Sequence, residues 1–325
     1  MTGRPAAPWH HGPPSDHFDG TRFFNPSGPS HPDAWASLRW VATRERAPWP
    51  AWVEIAPTVP PRRVRDLRVT FVGHATVLVQ AAGLNLLLDP IWSDRASPVA
   101  WAGPRRRHAP GVAFADLPPI DLVLLTHSHY DHMDAPTLRR LHAAYAPCTV
   151  APLGCDVPLG YEVPGLRLST LDWGASLDCG GARVTALPCR HWSQRYPADR
   201  DLSLWCSFLV ETPAGGLLLM GDTGFDAGRP YEAAARRGPV RLAAIPIGAY
   251  LPRWHMEHEH QNPAEAAEGF RVAGAAHAVA IHWGCFTMTD EGRDDPPRAL
   301  RAALTPPERD RFRVLAPGEG WDVPA

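Results

Sequence analysis

Residues 120–134, IDLVLLTHSHYDHMD, constrain this chain more than any other stretch. An apolar run of strand length ends abruptly in three histidines and two aspartates. Two readings compete: a solvated turn that happens to be rich in histidine, or a metal site. His127 and His129 stand two apart, so extended backbone points them the same way. Asp131 and His132 follow where the chain should turn into a helix, APTLRRLHAAYA. Imidazole and carboxylate suit zinc and its neighbours among the divalent metals. The spacing H-x-H-x-D-H directly after an apolar strand favours the metal site.

Those donors do not complete two metal sites, so further ligands are expected at other strand ends. His191 ends ARVTALPCRH, Asp222 ends GGLLLMGD and His282 ends HAVAIH. Each is polar and follows an apolar run, which would place all three at one rim of the sheets. Taken singly, such a residue is more often a satisfied strand end; beside the first cluster, ligation is the better reading.

The 325 residues are 45% hydrophobic, enough for a large core. Residues 1–65 are rich in proline, tryptophan and histidine with little periodicity, and read as an irregular arm laid over the body. One helix is expected in it, near HPDAWASLRWVATRE. Residues 66–325 read as one domain carrying a faint internal repeat. RVTFVGH resembles ARVTALPCRH, GLNLLLDP resembles GGLLLMGDTG, and IDLVLLTH resembles RLAAIPIG. Two similar β-rich halves with interspersed helices predict an α/β fold of two face-to-face sheets with helices outside.

Composition excludes several chemistries. The chain has no lysine, so Schiff-base, pyridoxal and P-loop lysine mechanisms are absent. A net charge of −2 gives no broad electrostatic case for nucleic acid. No cysteine pair forms C-x-x-C, and the six cysteines read as reduced, mostly buried thiols. The first residues lack the apolar core of a signal peptide, and no run approaches the ~20 residues that span a bilayer. A cytoplasmic protein, with peripheral membrane contact left open, is the expectation.

The ligand pattern resembles that of the metallo-β-lactamase-fold hydrolases. Within them the chain is most similar to the N-acylphosphatidylethanolamine-hydrolysing phospholipase D group and its bacterial relatives. The resemblance rests on VTFVGHATVLV, LLLDPIWSDRASP, LPPIDLVLLTHSHYDHMD, GDTGF, LAAIPIGAYLPRW, HQNPAEA and AIHWGCF, across roughly residues 67–290. It implies a four-layer αββα sandwich with two zinc ions at one edge; manganese or iron would suit the same donors. One ion would take His127, His129 and His191, the other Asp131, His132 and His282, with Asp222 bridging. The implied reaction is phospholipase D-type attack of metal-bound hydroxide on a phosphodiester, with Asp131 and Asp222 as the catalytic carboxylates. The implied partner is a phospholipid or other small phosphodiester, and a homodimer is left open.

Further expectations concern the residues around the ligands. His74 and Asp89 are candidates to support the ligands, Asp89 through a histidine ring N–H. His260 is the preferred substrate contact, followed by His258, Tyr250 and Arg253. The runs GPRRRH and PPRRVR read as solvated loops, although arginine clusters also bind phosphate. Trp9, Phe23, Phe24, Trp49 and Trp52 either pin the arm to the body or form a lipid-facing surface. Cys189 and Cys285 read as buried thiols near the metals. Rival readings are a lactonase, β-lactamase or nuclease on the same metals, an iron redox or sensing protein, and a metal-bearing binding protein without turnover. Nucleases of this fold usually carry a clamping domain for which the chain has no room, and the iron reading prefers a carboxylate in place of His129.

Overall fold

The apolar runs that begin at Leu67 form two seven-stranded sheets in a computed structural model that describes residues 7–29 and 34–325. The first sheet contains β1 (Leu67–Gly73), β2 (Thr76–Ala81), β3 (Leu84–Leu88), β4 (Leu122–Leu124), β5 (Cys148–Pro152) and β6 (Leu168–Leu171). The second contains β7 (Ser176–Cys179), β8 (Ala182–Leu187), β9 (Ser207–Thr212), β10 (Gly215–Leu219), β11 (Val240–Pro246) and β12 (His277–Ile281). Two late strands finish the edges: β13 (Phe312–Arg313) beside β12, and β14 (Gly320–Asp322) beside β1.

The strands read as continuous apolar runs because both faces of each sheet are covered. Val77, Val79, Leu86 and Leu88 point into a core shared with Val184, Phe208 and Val210 of the second sheet. Their neighbours Leu78 and Leu87 point the other way, into a layer with Leu138, Leu141 and Leu159. Those leucines belong to α2 (Ala135–Tyr145) and α3 (Asp156–Glu162), which follow α1 (Ala34–Thr43). On the far side, Tyr231 and Phe270 pack from α4 (Arg229–Ala235) and α6 (Pro263–Val272). The short α5 (Arg253–Met256) precedes α6; α7 (Asp295–Ala303) and α8 (Pro306–Arg311) follow β12. The layers are therefore α, β, β, α, the metallo-β-lactamase fold.

The repeat is real in topology. β1 to β4 pair antiparallel, antiparallel, parallel, and β8 to β11 do the same. The strands β1, β3 and β4, and their counterparts β8, β10 and β11, therefore run the same way within each sheet. The expected helix in the arm is α1, and the rest of residues 7–29 and 44–65 is mostly irregular. Phe18 and Phe23 are buried against Trp205 and Leu204. The His17 ring lies between Asp16 and Asp172, at 2.6 and 2.7 Å.

Two expectations need correction. Cys148 and Cys179 are joined in a disulfide between β5 and β7, with Cα atoms 6.7 Å apart, so the six thiols are not all free. The other four cysteines are free and buried. The arginine run at 105–107 is not simply a solvated loop: Arg106 is buried, donating to the carbonyls of Ser93 and Ile91 beneath Phe286.

Candidate metal centre

The residues that follow the C-terminal ends of these like-directed strands meet at one rim. His74 follows β1, Asp89 follows β3, His127 lies just past β4, His191 past β8, Asp222 past β10 and His282 follows β12. His74, Asp89 and His282 hold left-handed backbone, with φ of 55°, 39° and 58°. That conformation is costly for a residue with a Cβ, and its recurrence at one rim marks strain spent on aiming side chains. Gly248 permits the close approach of β11's end, since a Cβ there would stand 2.0 Å from the His282 carbonyl oxygen.

Two donor sets result. His127 Nε2 stands 2.8 Å from His129 Nδ1, and His191 Nε2 stands 3.3 Å from the same atom. Beside them, Asp131 Oδ2 is 3.3 Å from His132 Nε2 and 3.5 Å from His282 Nε2. Asp222 reaches both sets: its carboxylate lies 3.1 Å from His132, 3.2 Å from His282 and 3.9 Å from His191. The ligating atoms within each group lie within 4.8 Å of one another.

These donors fit a divalent metal. His129 Nε2, His132 Nε2, His282 Nε2 and Asp222 Oδ1 are buried without a hydrogen-bond partner, although several lie close to one another. Such a group of buried polar atoms is costly unless a cation is shared among them. Burial holds His127 well below the ordinary imidazole range, and lowers His129 to about 4 and His191 to about 3, so those rings keep their lone pairs. Burial opposes charge on His132 and His282 too. There Asp222 and Asp131 win, lifting His132 well above its ordinary value and His282 to about 9. Against burial, those histidines hold Asp131 and Asp222 well below the usual carboxylate range. Two buried carboxylates thus call for compensating positive charge, which a cation also supplies.

The two candidate support residues lie beside the donor sets. Asp89 is fully buried; one oxygen accepts from His132 Nδ1 and Thr126 Oγ1, both at 2.7 Å, and the other from Thr126 N. His74 Nε2 lies 2.8 Å from Asp131 Oδ2. Asp134 is drawn away from the cluster: its carboxylate accepts from Trp92 N, Ser93 N, Ser93 Oγ and Thr137 Oγ1, tying the loop to α2.

The expected substrate contacts divide. His260 sits at the site, its ring 5.3 Å from that of His191 and its Nδ1 3.9 Å from Asp222. His258 does not: its half-exposed ring turns outward toward Glu257, at 3.6 Å. Arg253 is engaged elsewhere, donating to the His260 carbonyl and to Glu265 in the capping box of α6, so it shapes the His260 loop. Tyr250 is half-buried near Glu291, with its hydroxyl pushed up to about 12 by burial. Cys189 and Cys285 are buried, and burial raises their thiols to about 12 and about 11, which keeps them protonated.

Three contributors escaped the sequence reading. Asn25, from the arm, donates to the His191 carbonyl at 2.8 Å and accepts from Trp205 Nε1. Arg195 is buried; it donates to the carbonyls of Ser128, within the histidine run, and Met133, directly after it, and pairs with Glu162 of α3. Trp192 and His129 pack edge to face, with centroids 4.6 Å apart. Only Trp192 had a signal, its place directly after His191.

A two-sheet sandwich with a paired donor set on its rim is the architecture of a metal-dependent hydrolase. The family model for the beta-lactamase superfamily domain matches residues 84–283, and the chain belongs to that superfamily. It is 36% identical, over 79% of its length and 76% of the relative's, to an N-acyl-phosphatidylethanolamine-hydrolyzing phospholipase D of Caenorhabditis elegans. An uncharacterized protein of Mycobacterium tuberculosis is 34% identical over 87% of this chain and 75% of its own. Among solved structures, a metallo hydrolase of Ignicoccus hospitalis shares the fold, with a TM-score of 0.59, 18% identity, and coverage of 78% of this chain and 97% of that one.

Proposed function

We propose that the chain is a dinuclear zinc hydrolase that cleaves a phosphodiester of the N-acylphosphatidylethanolamine type, releasing phosphatidic acid. The observation that carries the reading is Asp222, whose carboxylate lies within reach of both donor sets. The choice of substrate leans on the relative of Caenorhabditis elegans.

In this reading His127, His129 and His191 hold one ion, Asp131, His132 and His282 the other, and Asp222 both. Bound divalent cations supply an acidified water and neutralise charge gathering on the phosphate oxygens. The protein's own residues set the geometry. Asp89 accepts the Nδ1 proton of His132 and so leaves Nε2 free to ligate. The Glu259 carbonyl does the same for His191 Nδ1 at 3.1 Å. His74 restrains Asp131, and His260 stands over Asp222 where a substrate oxygen would lie.

A peripheral contact with lipid has support at α1. Trp35, Leu38 and Val41 recur at helical spacing and are 80%, 59% and 62% exposed, beside the exposed Trp254 of α5. No helix among the described residues is long and apolar enough to cross a membrane. Of the aromatics first considered for such a surface, Phe23 is buried and Trp49 donates to the Glu291 carbonyl, so they pin the arm.

The test is product analysis by mass spectrometry after incubation of metal-loaded protein with N-acylphosphatidylethanolamine in detergent, beside Asp222→Asn. N-acylethanolamine and phosphatidic acid from the unaltered protein only are the expected products. Released fatty acid overturns the phosphodiester reading, and no product from protein carrying two metals overturns the N-acylphosphatidylethanolamine substrate.

A further inference from the structure

Beside the last strand of the second sheet, arginines gather that the metal centre does not use. Arg298 and Arg301 of α7, Arg309 of α8 and Arg313 of β13 line one cavity of about 560 Å³. That volume is in the range of small-molecule pockets. None of the proposed metal ligands lines it. Two carboxylates do, Asp294 and Glu319, and both are engaged. Asp294 pairs with Arg293 at 2.6 Å, and Glu319 accepts from Ala316 N at 2.9 Å.

Three of the four guanidiniums keep donors to spare. Arg298 is paired with Asp295, at 2.6 Å. Arg309 Nε donates to the Arg301 carbonyl at 3.0 Å. Arg313 Nε donates to the Asp310 carbonyl at 3.4 Å, and its guanidinium carbon stands 4.5 Å over the Trp321 ring. Those bonds fix where the two groups stand. Their terminal nitrogens, and the whole Arg301 guanidinium, bond to no other described residue. Nearby Arg271 is different, since Glu268 and Glu308 neutralise it. Exposed arginines are usually solvated singly, but three around one cavity repel one another and favour an anion among them. The same cavity has an apolar side. The core residues Leu300, Leu304, Phe312 and Leu315 line it, with half-buried Pro297 and Val314.

We propose that this cavity binds a phosphate monoester carrying an apolar chain, with Arg301, Arg309 and Arg313 on the head and the Val314 side on the chain. A phosphate monoester brings nearly two negative charges and three acceptor oxygens. Guanidinium forks match those oxygens, and three of them have donors free for the purpose. A carboxylate head offers only one charge to the same three groups, and a hydroxyl offers none. The phosphatidic acid of the reading above belongs to this class, but the assignment stands on the cavity alone and does not need that reaction.

The test is isothermal titration calorimetry of zinc-loaded, full-length protein with octyl phosphate, octanoate and 1-octanol. One octyl phosphate should bind per chain, octanoate more weakly, and octanol not measurably. Binding should persist in Asp222→Asn, which alters the metal centre only. Arg301→Gln combined with Arg313→Gln should weaken it roughly 10- to 100-fold, whereas Arg183→Gln, on the far strand β8, should leave it unchanged. Arg301→Gln alone removes an exposed side chain without a partner, so it serves if the double variant fails to fold, and should weaken binding about 10-fold. Absence of octyl phosphate binding overturns the proposal, as does equal affinity in the arginine variants. Octanoate or octanol binding as tightly as octyl phosphate overturns the phosphate assignment. Binding lost in Asp222→Asn but kept in the arginine variants would put the ligand at the metals and overturn it too.

Discussion

Asp89 is outside both donor sets, yet its two oxygens fix the His132 ring and the backbone at Thr126. Removing its charge should cost more than a surface substitution. Asp89→Asn is expected to weaken metal binding by about 10- to 100-fold, read by competition with a chromophoric chelator. Unchanged affinity would mean that packing alone orients His132. Asn25 acts one step further out, through the His191 carbonyl. Asn25→Ala should shift the visible spectrum of the cobalt-loaded protein, which reports ligand geometry, while Asn25→Ser keeps a shorter donor and should shift it less. At this scale the sequence is legible where donors share one strand end or follow an apolar run, as His127, Asp222 and His282 do. It is illegible where a contact depends on how a loop turns. His258 and His260 are two residues apart, and only the fold decides that His260 faces Asp222 while His258 faces Glu257. Asn25 and His191 are 166 residues apart, and nothing local announces their bond.

The histidine run is a loop between β4 and α2, and a loop with this many polar groups needs an external brace. Arg195 supplies it, with Glu162 of α3 as the counter-charge. Burial opposes the Glu162 charge, but Arg195 holds its carboxyl below the ordinary range. Arg195→Met should destabilise the protein by about 3 kcal/mol, because it strands the partner of a largely buried pair. Urea unfolding of metal-free protein would measure this; a change within experimental error would refute the brace. Farther away, α6 and α8 are joined by Arg271 and Glu308, at 2.7 and 2.9 Å. Arg271 holds the Glu308 carboxyl down to about 2, from 4.5. A depressed acid stabilises fully above its unfolded pKa and loses that contribution as pH falls through its folded one. Glu308→Gln should thus cost about 1 kcal/mol at neutral pH, since Arg271 is partly in water. The gap between the two proteins' melting points should close between pH 4.5 and about 2. A gap that persists at low pH would assign the effect to packing.

Across the whole molecule, donors come from both sheets. The first sheet's β4 loop gives His127, His129, Asp131 and His132; the second sheet gives His191, Asp222 and His282. Metal should therefore stabilise the sandwich as a unit. An ion held at a free concentration 100 times its dissociation constant adds about 2.7 kcal/mol, so stripping metal with a chelator should lower the melting point by several degrees. No change on chelation would contradict binding across the seam. The sandwich itself was legible because two matched series of strands, each fully covered, leave long apolar runs that repeat. Its edges were not. β13 and β14 are two and three residues long and pair on one side only, too short to show alternation. β7 has one fully buried residue in four and α3 is a single short helix, so neither carries a periodic stripe.

The Asp222 carboxylate sits on the seam, facing donors from the other half of the chain. An ion there would work as a rivet. Cut the chain between residues 171 and 176 and each half keeps a share of the donors, but neither keeps the joint. Hydrolytic power would then arrive last, when the two halves have met in register. A nascent or misassembled chain would be inert, and metal uptake would serve as proof of correct assembly.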